Sequence, residues 1–123
     1  MSDPPDGIEQ INAVTLVTAA MDASVAFYRA LGFVTVAGGP GTAFTTFRAG
    51  TGFLNVQLDP EHAPVPGIWG RVIFFVDDVD AFHARALAAG YAPLTAPADA
   101  PWGERYFHIR DPSGHELSFA RPI

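Results

Sequence analysis

Residues 12–34, NAVTLVTAAMDASVAFYRALGFV, and residues 70–92, GRVIFFVDDVDAFHARALAAGYA, decide the fold when one is laid over the other. Setting Ala13 against Arg71 pairs Val14 with Val72, Asp22 with Asp80, Ala26 with Ala84, Ala30 with Ala88 and Gly32 with Gly90. Leu16 then meets Phe74, Val17 meets Phe75 and Phe33 meets Tyr91, so apolar positions, helix starters and glycines match in one register. The pattern is seen twice, which is too few for a solenoid and fits two related modules in one domain. Each copy opens on a β-rich run, AVTLV or RVIFFV, followed by a helix that ends at glycine. Asp78 and Asp80 offer N-cap oxygens to the second helix, and Gly90 suits a left-handed C′ position. Val25, Tyr28 and Leu31, like Phe82, Ala86 and Ala89, recur at helical spacing and predict a stripe facing a sheet.

Working outward, short β runs fill the rest: FVTVA, TAFTTFRA and GFLNVQL, then YAPLTA, RYFHIR and HELSFA. Glycine and proline punctuate them at GGPG, AGTG and DPSG. Each half therefore reads strand–helix–three strands, with module one at about 8–60, a linker at about 60–69 and module two at about 70–121 of a single domain, 1–123.

Composition bounds the function. Forty-nine per cent hydrophobic residues and 16% charged ones describe a globular chain. A net charge of −6 without basic runs argues against nucleic acid or an anionic membrane as partner. The absence of cysteine removes disulfides, thiolate nucleophiles and thiolate metal sites. MSDPPDGIEQ lacks the look of a signal peptide and no apolar run would span a bilayer, so a soluble, cytoplasmic protein is expected.

The βαβββ pairing, carried by VTLVTAAMDASVAFYRALGF, RVIFFVDDVDAFHARALAAGY and WGERYFHIRDPSGHELSFARP, resembles the vicinal oxygen chelate superfamily. That superfamily includes glyoxalase I, extradiol dioxygenases and the bleomycin and fosfomycin resistance proteins. The resemblance implies an α+β fold in which two βαβββ modules form a cupped mixed sheet, the glyoxalase/bleomycin resistance fold. It also implies a metal in the cup of some members, on positions that map here to Ala13, Gln57, Arg71 and Ser118. A methyl group, an amide, a permanent cation and a hydroxyl are a poor donor set for a divalent ion, so no metal and no cofactor is expected.

The pair His115–Glu116 looks like a metal motif, but neighbours on a strand point to opposite faces. His115 is expected at the end of the turn, solvated or bonded to it. The same alternation puts Phe53, Asn55 and Gln57, Arg71 and Phe75, Tyr106 and His108, and Glu116 and Ser118 on the cup face, with Trp102 bordering it. These ten residues are the expected ligand-binding set: apolar walls with a few oriented polar groups. Arg71 either receives a carboxylate, phosphate or enolate oxygen or pairs internally with Glu116 or Glu104. His108 is either a base or hydrogen-bonding group for ligand or a structural histidine. Trp69 and Trp102 are lids or loop anchors; His62 and His83 are expected to face solvent.

Four functions follow. The favoured one is a metal-free small-molecule binding protein, similar to the bleomycin resistance group, in which a homodimer sequesters an antibiotic or a planar or anionic metabolite. The others are a metal-free enzyme using Arg71 with His108 or Glu116, a metal-dependent lyase or dioxygenase of the glyoxalase type, and a dimer with a vestigial pocket.

Overall fold

The computed structural model describes residues 7–123. Within them the chain runs β1 (Ala13–Thr18), α1 (Met21–Leu31), β2 (Thr35–Ala37), β3 (Phe44–Ala49), β4 (Gly52–Leu58), β5 (Arg71–Phe75), α2 (Val79–Ala88), β6 (Ala98–Asp99), β7 (Glu104–Arg110) and β8 (Glu116–Pro122). This is βαβββ written twice. The strands form two four-stranded sheets, ordered β1-β4-β3-β2 and β5-β8-β7-β6. Each is mixed: β1 lies parallel to β4 and β5 parallel to β8, while the remaining pairs are antiparallel.

The repeat governs local structure too. Helix α2 starts on Asp78, whose carboxylate accepts from the Ala81 amide at 3.0 Å. Helix α1 begins at Ala20 without a side-chain cap. Thr18 compensates in part, accepting from the Ala20 amide at 3.0 Å. Gly32 (φ 106°) and Gly90 (φ 89°) end the helices in the left-handed region, and the following Phe33 and Tyr91 bond back to the carbonyls of Tyr28 and Ala86. Val25, Tyr28 and Leu31 are fully buried as their spacing requires, whereas Ala89, at the C-cap, is exposed.

One core serves both modules. It joins Leu16, Phe47, Leu54 and Val56 of the first sheet to Phe107, Ile109, Leu117 and Phe119 of the second, with helix residues between. Phe119 packs on Phe74, Phe82 and Phe107 at ring distances of 5.2 to 5.4 Å. The predicted strand YAPLTA is absent. Pro93 interrupts it and Pro97 follows directly after it, and the segment follows β7 irregularly through Leu94 N–H to His108 O and His108 N–H to Thr95 Oγ1. Its place at the sheet edge goes to the two-residue β6.

A polar clamp fastens module two and the connecting segment to module one. Asp111, in the DPSG turn, accepts from Tyr28 Oη at 2.7 Å and from the amides of Ser113 and His115. Thr18 accepts from Ser24 and Ser113. Gly114 (φ +84°) leaves room for Val65, whose carbonyl oxygen would lie 2.7 Å from an added Cβ. No helix among the described residues is long and apolar enough to cross a membrane.

Candidate functional site

Pleating sorts the side chains as expected. On β4, Leu54 and Val56 enter the core while Phe53, Asn55 and Gln57 lie on the other face. On β5, Val72 and Phe74 pack on the core, and Arg71, Ile73 and Phe75 are exposed. On β7, Phe107 and Ile109 are buried, leaving Tyr106, His108 and Arg110 beside Glu116, Ser118 and Ala120 of β8.

Module two brings its candidates together. Strand register places Arg71 opposite Glu116, Ile73 opposite Ser118 and Phe75 opposite Ala120; across β8, Ser118 meets His108 and Ala120 meets Tyr106. Arg71 Nε donates to Glu116 Oε2 at 2.6 Å, and its Nη2 contacts the same oxygen. Of the two expectations for Arg71, internal pairing is the one formed, with Glu116 and not Glu104. The Glu116 carboxylate is buried, whereas the Arg71 side chain keeps 34% of its surface.

A ladder of rings runs along β7. Trp102 stacks on Tyr106 (5.8 Å, 27°), and Tyr106 tilts against His108 (4.9 Å). Trp102 Nε1 donates to Glu104 Oε1, so the indole is held in place while 68% exposed. Burial and the Arg71 charge hold the His108 pKa below its ordinary value, only partly offset by Glu116, and favour a neutral ring at pH 7. Its Nδ1 is buried without a hydrogen-bond partner among the described residues.

Module one's candidates lie on the other sheet. Asn55 accepts from Thr46 and donates to Thr15, and Arg48 stands 6.0 Å over Phe53. Nothing among the described residues bonds this group to Arg71, His108 or Glu116. Because both sheets turn their helix faces to one core, their candidate faces point away from it.

Register sets Gln57 apart from Ser118. Ser118 lies two residues beyond the partner of Arg71, and two beyond the partner of Ala13 is Asn55; Gln57 instead pairs with Val17. Gln57 is therefore roughly 13 Å along the sheet from Ala13, four strand residues away. The counterpart donor set becomes Ala13, Asn55, Arg71 and Ser118. It still has no carboxylate or imidazole, and its cation is already paired. These residues do not fit a divalent metal.

Three histidines sit differently from expectation. His115 is buried: Trp69 Nε1 donates to its Nδ1 at 2.9 Å, which fixes the ring proton on Nε2, 2.8 Å from the Val17 carbonyl. Trp69 is thus a loop anchor. His62 stacks on His115 with the rings 5.9 Å apart, and His83 sets its edge against Phe107; both are half-buried. The expected site also leaves out a cavity of about 840 Å3 between the modules, lined by Phe33, Phe74, Phe82 and Phe119 together with Phe53, Arg71 and Phe75. The other seven candidates lie outside it. The signal was there in β5, whose inward Val72 and Phe74 line its wall.

Fold and site together define a glyoxalase/bleomycin resistance type of module pair in which the arginine that opens β5 is ion-paired to Glu116. The chain belongs to the Glyoxalase/Bleomycin resistance protein/Dioxygenase superfamily, whose profile matches residues 10–119. Over 110 residues it is 34% identical to the "Putative glyoxylase CFP32" of Mycobacterium tuberculosis (strain CDC 1551 / Oshkosh), covering 87% of this chain and 42% of that one. The chain thus spans about two-fifths of the length of that curated relative. In fold it resembles a bleomycin resistance determinant encoded on the transposon Tn5 (TM-score 0.75, 21% identity, 93% of this chain and 98% of that one). It also resembles a lactoylglutathione lyase from Agrobacterium tumefaciens (TM-score 0.72, 26% identity, 96% and 95%).

Proposed function

We propose that the protein is a metal-free, cytoplasmic small-molecule binding protein of the glyoxalase/bleomycin resistance type, sequestering an antibiotic or a planar metabolite. The observation that supports this reading is the Arg71–Glu116 ion pair, which occupies the place where the resemblance would put a metal ligand. A structure of a bleomycin-binding protein complexed with bleomycin, similar in fold at a TM-score of 0.72 and 24% identity, is consistent with it. The ligand lies against the module-two face, over the exposed Phe75 and the Trp102–Tyr106 stack. A second copy completes the site. In one chain Asn55 and Gln57 stand apart from that face, β1 and β5 have no strand neighbour on their outer edges among the described residues, and Ile73 and Phe75 are 59% and 63% exposed. A two-fold dimer would bring one copy's module one over the other's module two.

A thermal-shift screen of planar antibiotics and aromatic metabolites, with sedimentation analysis, tests both parts. A stabilising compound that no longer stabilises Tyr106→Leu, on a dimeric protein, supports the reading; a monomer, or hits indifferent to Tyr106, contradicts it. The likeness to CFP32 favours a second reading, a glyoxalase-like lyase. Turnover of a glutathione hemithioacetal that is lost in Glu116→Gln would establish it.

A further inference from the structure

We propose that the cavity between the modules is a second binding site, for a monoanionic amphiphile whose hydrocarbon or aryl body fills the cavity and whose carboxylate meets Arg48. It shares Arg71 and Phe75 with the module-two face but does not rest on the reading given to that face.

The apolar body follows from the lining. The cavity runs along the outer edge of β5, which has no strand neighbour among the described residues. It takes residues from both faces of that strand, Val72 and Phe74 on the core side and Ile73 and Phe75 on the other. Val14, Phe33, Val72, Phe74 and Phe82 pack on the core yet stay half-buried, whereas Phe119 is fully buried, so the cavity opens the core to solvent. Its volume of about 840 Å3 lies within the roughly 300–1,000 Å3 of small-molecule sites. Two buried side-chain atoms lack a hydrogen-bond partner among the described residues, His62 Nε2 and His108 Nδ1, and neither residue lines the cavity. A polar group carried inside would lose its hydration and find no buried side chain in need of a partner, which selects an apolar body.

The charged head follows from the arginines. All seven Lys and Arg residues of the chain are arginine. Arg29, Arg71, Arg85, Arg105 and Arg110 each donate to an oxygen of the protein. Arg48 and Arg121 have no polar partner among the described residues, and of these two only Arg48 lines the cavity. Its guanidinium stands 6.0 Å over the ring of Phe53, another lining residue. An exposed guanidinium without a counter-ion takes a carboxylate and breaks no bond in doing so. Arg71 cannot, because its partner Glu116 is only 8% exposed and would be left as an uncompensated buried charge. Asp77 is the acid in the lining, and it repels a second negative charge, which argues for a single anionic group.

The test uses 1-pyrenebutyrate and uncharged 1-pyrenebutanol, which share a body, titrated by fluorescence into the full chain, with sedimentation of the same samples. The wild type should bind both, the carboxylate about three- to tenfold more tightly, and Arg48→Met should remove that preference. Val72→Trp, which fills the cavity from a half-buried position, should abolish binding of both probes. Circular dichroism reports whether Val72→Trp folds, and Arg48→Met, at an exposed side chain, carries the test if it does not. Equal affinities in the wild type, or a preference that survives Arg48→Met, overturn the role of Arg48 and with it the proposal. Binding that persists in folded Val72→Trp, or that is lost instead in Tyr106→Leu, puts the probe elsewhere and overturns the site. Affinity that falls as a dimer forms with rising protein concentration makes a second copy the occupant and overturns the proposal too. Failure of the wild type to bind either probe does the same and leaves the module-two reading standing.

Discussion

Replacing Arg71 and replacing its partner should not cost the same. Glu116 is 8% exposed, whereas the Arg71 side chain keeps 34% of its surface. Arg71→Met keeps the apolar stem and removes the cation, stranding a carboxylate that water barely reaches. Breaking a fully buried pair this way costs about 3–5 kcal/mol. Solvent around the half-exposed guanidinium screens this pair, so about 1–3 kcal/mol is expected. Glu116→Gln leaves an amide oxygen that still accepts from Arg71 and a guanidinium free to hydrate, at about 0–1 kcal/mol. The double variant strands no charge and should recover about 1 kcal/mol relative to Arg71→Met. Urea unfolding followed by far-ultraviolet circular dichroism gives all four stabilities, provided the slopes agree. Glu116→Gln costing as much as Arg71→Met, or a double variant no more stable than Arg71→Met, refutes the reasoning.

Three further outcomes follow from the same geometry. Burial and the adjacent Asp111 push the Tyr28 phenol well above its ordinary range. The unfolded chain ionises near pH 10 while the folded one keeps its proton, so stability is full below about pH 10 and falls as pH rises beyond it. Thermal melts from pH 8.5 to 11 should show that fall in the wild type and a shallower one in Tyr28→Phe. Proton NMR of His108 should find it titrating below an ordinary histidine, and moving up in Arg71→Met as the repelling charge is lost; an unchanged titration contradicts the Arg71 contribution. Phe119→Ala, at the fully buried meeting point of Phe33, Phe74, Phe82 and Phe107, should cost about 3–5 kcal/mol in chemical denaturation.

The repeat and the pleat carry most of what could be read in advance. Laying Ala13 on Arg71 places both helices and their glycine ends, because helix capping and the left-handed turn are local matters. Alternation alone assigns Arg71, Phe75, Tyr106 and His108 to one face. What it leaves open is which face residues meet. Asn55 rather than Gln57 occupies the place matching Ser118, a matter of strand pairing set by loop lengths and packing. The clamp of Thr18, Tyr28, Asp111, Ser113 and His115 was likewise hidden, since those groups are buried only by contact between segments 80 to 100 residues apart. In DPSGH the turn is visible; the buried imidazole locked between Trp69 and Val17 is not.

If the chain holds a small molecule without a metal, as proposed, elemental analysis of untagged protein purified without chelators shows it first. Zinc, nickel, manganese, iron and cobalt should all lie far below one ion per chain. Near-stoichiometric occupancy by any one of them, lost in Arg71→Met or Glu116→Gln, would contradict it and return the protein to the metal-dependent lyases and dioxygenases of its superfamily.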